Sequence, residues 1–139
     1  MTPEEAMAAL QKAPMYFEPR TARAYIRAGG LCEYCGQQLI DDRLGYACAH
    51  IDHLLPRGSF AYQITNHADN FVLSCSLCNS VKRDKSVLEP GEDALVMLAS
   101  QRHTLIERAT ILIRIELEKA NEKWICVKEI FAGLRELGE

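Results

Sequence analysis

The sequence predicts a small α+β domain in which short strands are held by a cysteine cluster and flanked by helices. Three observations predict this class. Two C-x-x-C pairs lie in the middle of the chain, short apolar segments lie near them, and apolar residues at helical spacing fill the last third. With 139 residues the chain can bury one core but not two. We expect one domain, with N-terminal helices over 1–29, a core over 30–88 and a C-terminal helical extension over 89–139.

The elements follow from local signals. Thr2 as N-cap, Pro3 in the first position and Glu5 in a capping box begin a helix that runs to about Gln11. A second helix over 20–28 ends at two glycines. The remaining predictions, in chain order, are small strands within 31–49, including residues 46–48, a strand over 49–55 that stops before Pro56, a long loop over 57–70, a short apolar segment over 71–73 and a short helix within 74–85.

The composition is that of an ordinary globular protein. Hydrophobic residues make up 48% and charged residues 25% of the chain, which excludes disordered and collagen-like classes. No apolar stretch approaches the roughly 20 residues of a membrane span, and the acidic N-terminus does not look like a signal peptide. We therefore expect a cytoplasmic protein. Its formal net charge of −3 requires that nucleic acid be bound, if at all, by a local basic surface.

The two C-x-x-C pairs predict a structural zinc site. Cys32 and Cys35 form the first pair, Cys75 and Cys78 the second, and 39 residues separate them. A two-residue spacer lets two thiolates converge on one ion, and two such pairs complete the tetrahedron that Zn²⁺ prefers. Because all four ligand positions are then filled, this zinc does not activate water. The alternative is a redox dithiol with an incidental second pair.

The other cysteines and two of the histidines are predicted to have no chemical role. Cys48 lies in a short apolar piece and Cys126 in an apolar stretch near the end of the chain, so we expect both to be buried thiols. His67 lies in the predicted loop and His103 in the helical region. We expect both imidazoles to face solvent.

A second group of polar residues lies around the cysteine pairs. Its members are His50, Asp52, His53, Asn70 and Asn79. Carboxylate and carboxamide oxygens suit a hard cation such as Mg²⁺, and histidine titrates near neutrality, so the group combines metal ligands with a base. Zinc binding by the flanking cysteines would bring these residues into one neighbourhood despite their separation in the sequence.

Residues 32–82 resemble the HNH endonuclease family, with Asp-His before a proline, an asparagine ahead of the second C-x-x-C pair, and Cys-Asn followed by a lysine. The resemblance implies a ββα-metal core braced by the zinc site. It implies that Asp52 and Asn79 hold Mg²⁺ or Mn²⁺, that His53 is the general base, and that Asn70 holds the base or its loop in position. Asparagine stands where the eponymous motif ends in histidine, and an oxygen ligand favours these cations over zinc.

The implied reaction is hydrolysis of phosphodiester bonds in double-stranded DNA. Neutral His53 takes a proton from the attacking water, and one divalent cation neutralises charge on the phosphate and the leaving oxygen. The resemblance implies products with 5′-phosphate and 3′-hydroxyl ends. Breaks in both strands most simply need two active sites, so we expect a homodimer formed through the C-terminal helices.

Several basic residues are candidate phosphate contacts. Lys82, Arg83 and Lys85 follow the second cysteine pair, and Arg57 follows the Asp-His strand. A solvated helix face explains the first three about as well, except that Lys82 matches the lysine of the family pattern. His50 shares a strand face with the aspartate, so it is either an additional ligand or phosphate contact, or a histidine that only hydrogen-bonds within the hairpin.

Arg20, Arg23 and Arg27 recur on one face of the second predicted helix. They either extend the phosphate-binding surface or compensate the charge of the zinc thiolates.

Two other functions compete with a nuclease. One is a non-catalytic, zinc-stabilised module that binds nucleic acid, and the intact set of Asp52, His53, Asn70 and Asn79 argues against it. The other is a redox or metal-sensing protein that uses its thiols, in which case His53 should be dispensable.

Overall fold

The computed structural model describes residues 1–138, which form a two-stranded sheet and seven α-helices. This mixed architecture confirms the predicted α+β class. In chain order the elements are α1 (Pro3–Leu10), α2 (Pro19–Ala28), α3 (Arg43–Ala47), β1 (Ala49–His53), α4 (Tyr62–Thr65), a 3-10 turn (Ala68–Asn70), β2 (Phe71–Cys75), α5 (Ser76–Lys82), α6 (Ala94–Ser100) and α7 (Arg102–Leu137).

Both N-terminal helices begin and end at side chains that the sequence identifies. The Thr2 hydroxyl accepts a hydrogen bond from the Glu5 amide at 3.1 Å, and the Glu5 carboxylate accepts one from the Thr2 amide at 2.9 Å. This reciprocal pair confirms the predicted capping box. Helix α2 ends at Gly29, whose φ of 60° lies in the left-handed region that glycine adopts without steric cost.

The sheet places the aspartate and the histidine of the Asp-His pair at the end of β1. The strands are antiparallel, with Asp52 opposite Val72 and His53 opposite Phe71. All of β2 is buried, whereas in β1 only Asp52 is. Strand β1 ends at His53, before Pro56, as predicted. Adjacent strand residues point to opposite faces, so the two side chains meet different surroundings.

The prediction of a small strand over residues 46–48 is wrong. These residues form the end of α3 and its C-cap. The Asp42 carboxylate caps this helix by accepting a hydrogen bond from the Gly45 amide at 2.7 Å. Gly45 packs so closely on residue 38 that a Cβ would lie 2.9 Å from the Gln38 carbonyl oxygen. A local cap and a close backbone contact therefore outweigh the strand preference of a three-residue apolar piece.

Residues 57–70 are less irregular than predicted. They contain α4 and the 3-10 turn, each of about one turn. The side chain of Asn70 connects this region to the residues after β1, which explains how a long connection stays ordered.

The core lies between the sheet and the C-terminal helices, which confirms the predicted helical character of the last third. Side chains from both strand regions and from α6 and α7 form one cluster of buried residues. Its innermost members are Leu39, Leu54, Leu55, Val72, Leu73, Leu98, Leu105 and Ala109. Leu54 and Leu55 belong to this cluster, so its packing holds the segment that follows Asp52 and His53 in place.

Helix α7 extends well beyond the core. Its last buried residue is Ile113, yet the helix continues to Leu137. Cys126 lies in this projecting part and is exposed, so the prediction that it is buried is wrong, whereas Cys48 is half-buried. A face of the projecting helix carries exposed apolar side chains, which we call the α7 apolar face: Trp124, Val127, Ile130, Phe131, Leu134 and Leu137.

None of the helices within residues 1–138 combines the length and the apolar character that a membrane crossing requires.

Candidate functional site

The four cysteines of the two C-x-x-C pairs converge on one point. Their sulfur atoms all lie within 4.8 Å of one another, and the Sγ atoms of Cys35 and Cys75 are 3.7 Å apart. A tetrahedral zinc with Zn–S bonds of about 2.3 Å separates its sulfurs by about 3.8 Å. The donor set and spacing therefore fit Zn²⁺. Three of the four cysteines are buried and Cys35 is exposed.

The thiols influence one another strongly. A hydrogen bond from Cys78 lowers the pKa of the Cys32 thiol to about 4. The same bond, together with burial, raises the pKa of Cys78, and burial raises the pKa of Cys35 to about 11. One thiolate therefore suppresses the ionisation of its neighbours. Four thiolates at this spacing repel one another unless a cation lies between them, and Zn²⁺ would be that cation.

An ion-pair network that the sequence analysis missed joins the first cysteine pair to the strands. Arg102, in the first turn of α7, donates to both carboxylate oxygens of Glu33, at 2.8 and 3.0 Å. It also donates to the carbonyls of Asp69 and Phe71. The Leu73 amide donates to Glu33 as well, at 3.2 Å. Because Glu33 and Arg102 are 69 residues apart, no local pattern could have revealed the pair.

Asp52 is a buried residue of β1, and one of its carboxylate oxygens has two partners. Its Oδ2 accepts a hydrogen bond of 2.6 Å from the Tyr34 hydroxyl and lies 3.2 Å from the Lys82 ammonium. Its Oδ1 makes no hydrogen bond within residues 1–138 and is not sealed from solvent. The carboxylate is therefore held in one orientation with one oxygen left available.

Lys82 lies in the interior. Its side chain is 0% exposed, and its ammonium donates to the His53 carbonyl at 2.9 Å while pairing with Asp52. This corrects the prediction that Lys82 contacts a phosphate, because a fully enclosed ammonium does not reach nucleic acid at the surface. The charge is accommodated by the carboxylate and carbonyl beside it, as burial of a lysine requires.

His53 is half-buried on the opposite face of β1. Its ring packs edge-on against Phe71, with the ring centroids 5.0 Å apart. Burial, and then the charge of Arg57, lowers its pKa, so the imidazole stays neutral near pH 7. The ring lines a cavity of about 290 Å³ whose other walls include Glu18, Arg20, Arg57, Tyr62 and Asn66. A neutral imidazole at the wall of an arginine-lined cavity can accept a proton from a bound water.

Asn70 joins the end of β1 to the segment before β2. It is completely buried, and its carboxamide oxygen accepts a hydrogen bond from the Leu55 amide at 2.7 Å. Its nitrogen donates to the carbonyls of Leu55 and Thr65, at 3.1 and 3.0 Å. The side chain thus fixes the backbone that leaves His53.

Asn79 lies on α5, which packs against both strands. It is half-buried, and its side chain makes no hydrogen bond to another of residues 1–138. Residues three apart share a helix face, and Lys82 reaches Asp52 from that face. The carboxamide oxygen of Asn79 therefore has no partner within residues 1–138 and could bind a cation.

The remaining predicted contacts occupy the surface. The Nε2 atom of exposed His50 is 2.9 Å from the Ser76 hydroxyl, a hydrogen bond across the hairpin. Arg57 and Arg83 are exposed, and the Lys85 ammonium pairs with Glu116 at 3.3 Å. His103 is exposed, as expected.

The His67 side chain is partly exposed, and its Nδ1 accepts a hydrogen bond from the Asp69 amide at 3.1 Å. Its imidazole therefore caps the 3-10 turn, a role that the expectation of a solvent-facing side chain missed.

The three arginines of α2 pair with carboxylates. Arg20 pairs with Glu18 at 2.8 Å and lies over the ring of Phe71, while Arg23 and Arg27 approach Asp69 at 3.7 and 3.5 Å. The two pairs with Asp69 link α2 to the 3-10 turn that carries Asn70. Their side chains therefore compensate local carboxylates.

Comparison with known proteins identifies the central segment. Residues 32–85 match the family model described as HNH endonuclease. The match spans both cysteine pairs, both strands and α5, and it confirms the resemblance inferred from the sequence. No curated protein and no solved structure matches the chain significantly. The family match indicates a nuclease-type or nucleic-acid-related function.

Proposed function

We propose, on the premise that residues 32–85 form an HNH domain, that the protein is a metal-dependent endonuclease that hydrolyses DNA phosphodiester bonds. One observation carries the proposal. The end of β1 presents a fixed carboxylate, Asp52, on one face and a neutral imidazole, His53, at an arginine-lined cavity on the other. Hydrolysis requires a metal ligand and a base at the same phosphate. We therefore propose that one phosphodiester contacts both side chains at this strand end, where β1 stops at His53.

Asp52 and Asn79 would hold the divalent cation. Both offer oxygen ligands, which favour Mg²⁺ or Mn²⁺. When bound, the cation neutralises charge on the phosphate and on the leaving 3′-oxygen. The Tyr34 hydroxyl donates to Asp52 and so orients the carboxylate, as outer partners of metal ligands do.

His53 is the proposed general base. Its neutral ring accepts a proton from the water that attacks phosphorus in line. The bond from phosphorus to the 3′-oxygen breaks and that oxygen takes a proton from solvent, which gives a 5′-phosphate and a 3′-hydroxyl. Asn70 is a positioning residue, since it fixes the backbone after the histidine without facing the cavity. Arg102 supports the same segment by holding the carbonyls of Asp69 and Phe71.

The proposed nucleic-acid surface is local. Arg57 is exposed and lines the same cavity as His53, and Arg83 and Lys85 lie just after α5. With a formal net charge of −3, the protein depends on such a cluster to attract a polyanion. We propose double-stranded DNA as the substrate. Zinc binding needs reduced thiols, which supports action in a reducing compartment such as the cytoplasm.

We also propose that two copies pair through the α7 apolar face. Trp124, Ile130, Phe131 and Leu134 are each more than half exposed, and together they form a stripe that a second helix would cover. The stripe continues the face by which α7 packs on its own core, where Ala109 and Ile113 are buried. A symmetric pair would provide one active site for each DNA strand.

A second candidate is a non-catalytic module that binds nucleic acid. The observation in its favour is that Asp52 is satisfied by Tyr34 and Lys82, contacts that a structural carboxylate would also make. The two functions differ in one measurement. Zinc-loaded protein incubated with supercoiled plasmid should nick it when Mg²⁺ or Mn²⁺ is added and not before, whereas a binding module should shift the plasmid in a gel and leave it intact.

A further inference from the structure

The pairing of Lys82 with Asp52 has a consequence for cation binding. The ammonium lies 3.2 Å from the carboxylate that would hold the cation, and both side chains are buried. Apart from the four-cysteine cluster, residues 1–138 contain no group of three or more His, Cys, Asp and Glu side chains close enough to share a metal. At this site Asp52 is therefore the carboxylate on which a cation would depend, and the Lys82 ammonium already balances its charge.

Electrostatics then predicts weak cation binding in the free protein. A cation at Asp52 would feel the attraction of one carboxylate and the repulsion of the nearby ammonium. Lys82 cannot move into solvent easily, because it is fully enclosed and also donates to the His53 carbonyl. The phosphodiester of a bound DNA supplies the negative charge that the protein lacks.

We propose that Lys82 is a built-in counter-cation of Asp52, which keeps the site weak for divalent cations until a nucleic-acid phosphate arrives. This inference rests on the proposed function, since it takes Asp52 as a cation ligand. In the free protein the Lys82 ammonium holds the Asp52 carboxylate in place. The divalent cation and the nucleic-acid phosphate then bind together.

The proposal is tested by titrating Mn²⁺ into the zinc-loaded full chain without DNA, with binding measured by the electron paramagnetic resonance signal of free Mn²⁺. Mn²⁺ is suitable because it competes poorly with zinc for thiolates. Wild-type protein should bind Mn²⁺ only in the millimolar range. Lys82→Met should bind at least tenfold more tightly, because a unit charge a few ångströms away changes the affinity for a divalent ion by more than that.

Two further variants make the result specific. Lys119→Met removes the same charge from an exposed lysine on α7 that pairs with Glu116, and should leave Mn²⁺ binding within about twofold of wild type. Asp52→Asn in the Lys82→Met background should abolish the gain. Zinc content and circular dichroism verify folding, and Lys82→Gln replaces Lys82→Met if the latter fails to fold.

The outcomes separate this inference from the proposed function. Micromolar binding of Mn²⁺ by wild-type protein, or unchanged affinity in folded Lys82→Met while Asp52→Asn still weakens binding, would overturn the role of Lys82 and leave the cation site intact. Binding that is indifferent to Asp52→Asn in every background would overturn both, because Asp52 would then not be a ligand.

Discussion

The carboxamide of Asn70 bonds to both backbone polar atoms of Leu55, accepting from its amide at 2.7 Å and donating to its carbonyl at 3.1 Å. Both residues are fully buried. This is the pairing that a neighbouring strand would provide, supplied instead by one side chain just beyond the end of β1. The hydrogen bond from the Leu54 amide to the Asn70 carbonyl lies just beyond the last strand pair, and the two side-chain bonds to Leu55 follow it along the chain. The backbone that follows His53 is thereby fixed by a side chain in place of a paired strand.

Replacing Asn70 by alanine should therefore lower the free energy of unfolding by about 2–4 kcal/mol, since it leaves the Leu55 amide and two carbonyls buried without partners. Urea denaturation of the zinc-loaded protein measures this. Asn66→Ala is the matched control, because the one hydrogen bond that the Asn66 side chain makes within residues 1–138 goes to the exposed Tyr62 hydroxyl, and the substitution should cost less than about 1 kcal/mol. Equal losses of unfolding free energy in the two variants would show that the buried hydrogen bonds of Asn70 stabilise the protein no more than the exposed one of Asn66.

Cys75→Ser should abolish zinc binding and with it the stable fold. Structural zinc contributes on the order of 10 kcal/mol to the folding of small zinc domains. Cys126→Ser removes an exposed thiol outside the cluster and should retain one zinc and the wild-type melting temperature. Elemental analysis and thermal denaturation check both. A zinc-free Cys75→Ser protein that melts normally would refute a structural four-thiolate site.

Phe131→Lys should convert a dimer into a monomer, because it puts a charge in the middle of the α7 apolar face. Ala132→Lys introduces the same charge at the next position, about 100° around the helix and away from that face, and should leave the dimer intact. Multi-angle light scattering gives the mass directly. A monomeric wild type at all working concentrations contradicts the proposed pairing.

Much of the fold follows from local sequence, and the exceptions have a common cause. The Thr2 capping box and the stop at Gly29 depend on residues within one turn, so sequence alone identifies them. The four cysteines are found from their spacing. By contrast, the Arg102–Glu33 pair spans 69 residues and leaves no local trace.

The burial of Lys82 shows the same limit within the candidate site. A lysine in the last turn of a short helix is typical of a solvent-exposed position, and only the pairing of β1 with β2 places a carboxylate and a carbonyl where the Lys82 ammonium lies. The prediction for Cys126 is wrong in the opposite sense, because this residue was expected to be buried and is exposed. Its apolar neighbours suggested burial, but α7 projects beyond the core and leaves them uncovered. Both errors arise because burial depends on what the fold brings alongside a residue.

The proposed nuclease is tested by the rate at which His53→Ala cleaves supercoiled plasmid in the presence of Mg²⁺, compared with wild type and with His103→Ala. His103 is exposed on α7 and serves as a matched control. Loss of a general base should slow cleavage by about 100-fold or more in His53→Ala, with zinc content and circular dichroism unchanged, and His103→Ala should cut at the wild-type rate. A folded, zinc-loaded His53→Ala protein that cuts as fast as wild type would show that His53 is not the general base.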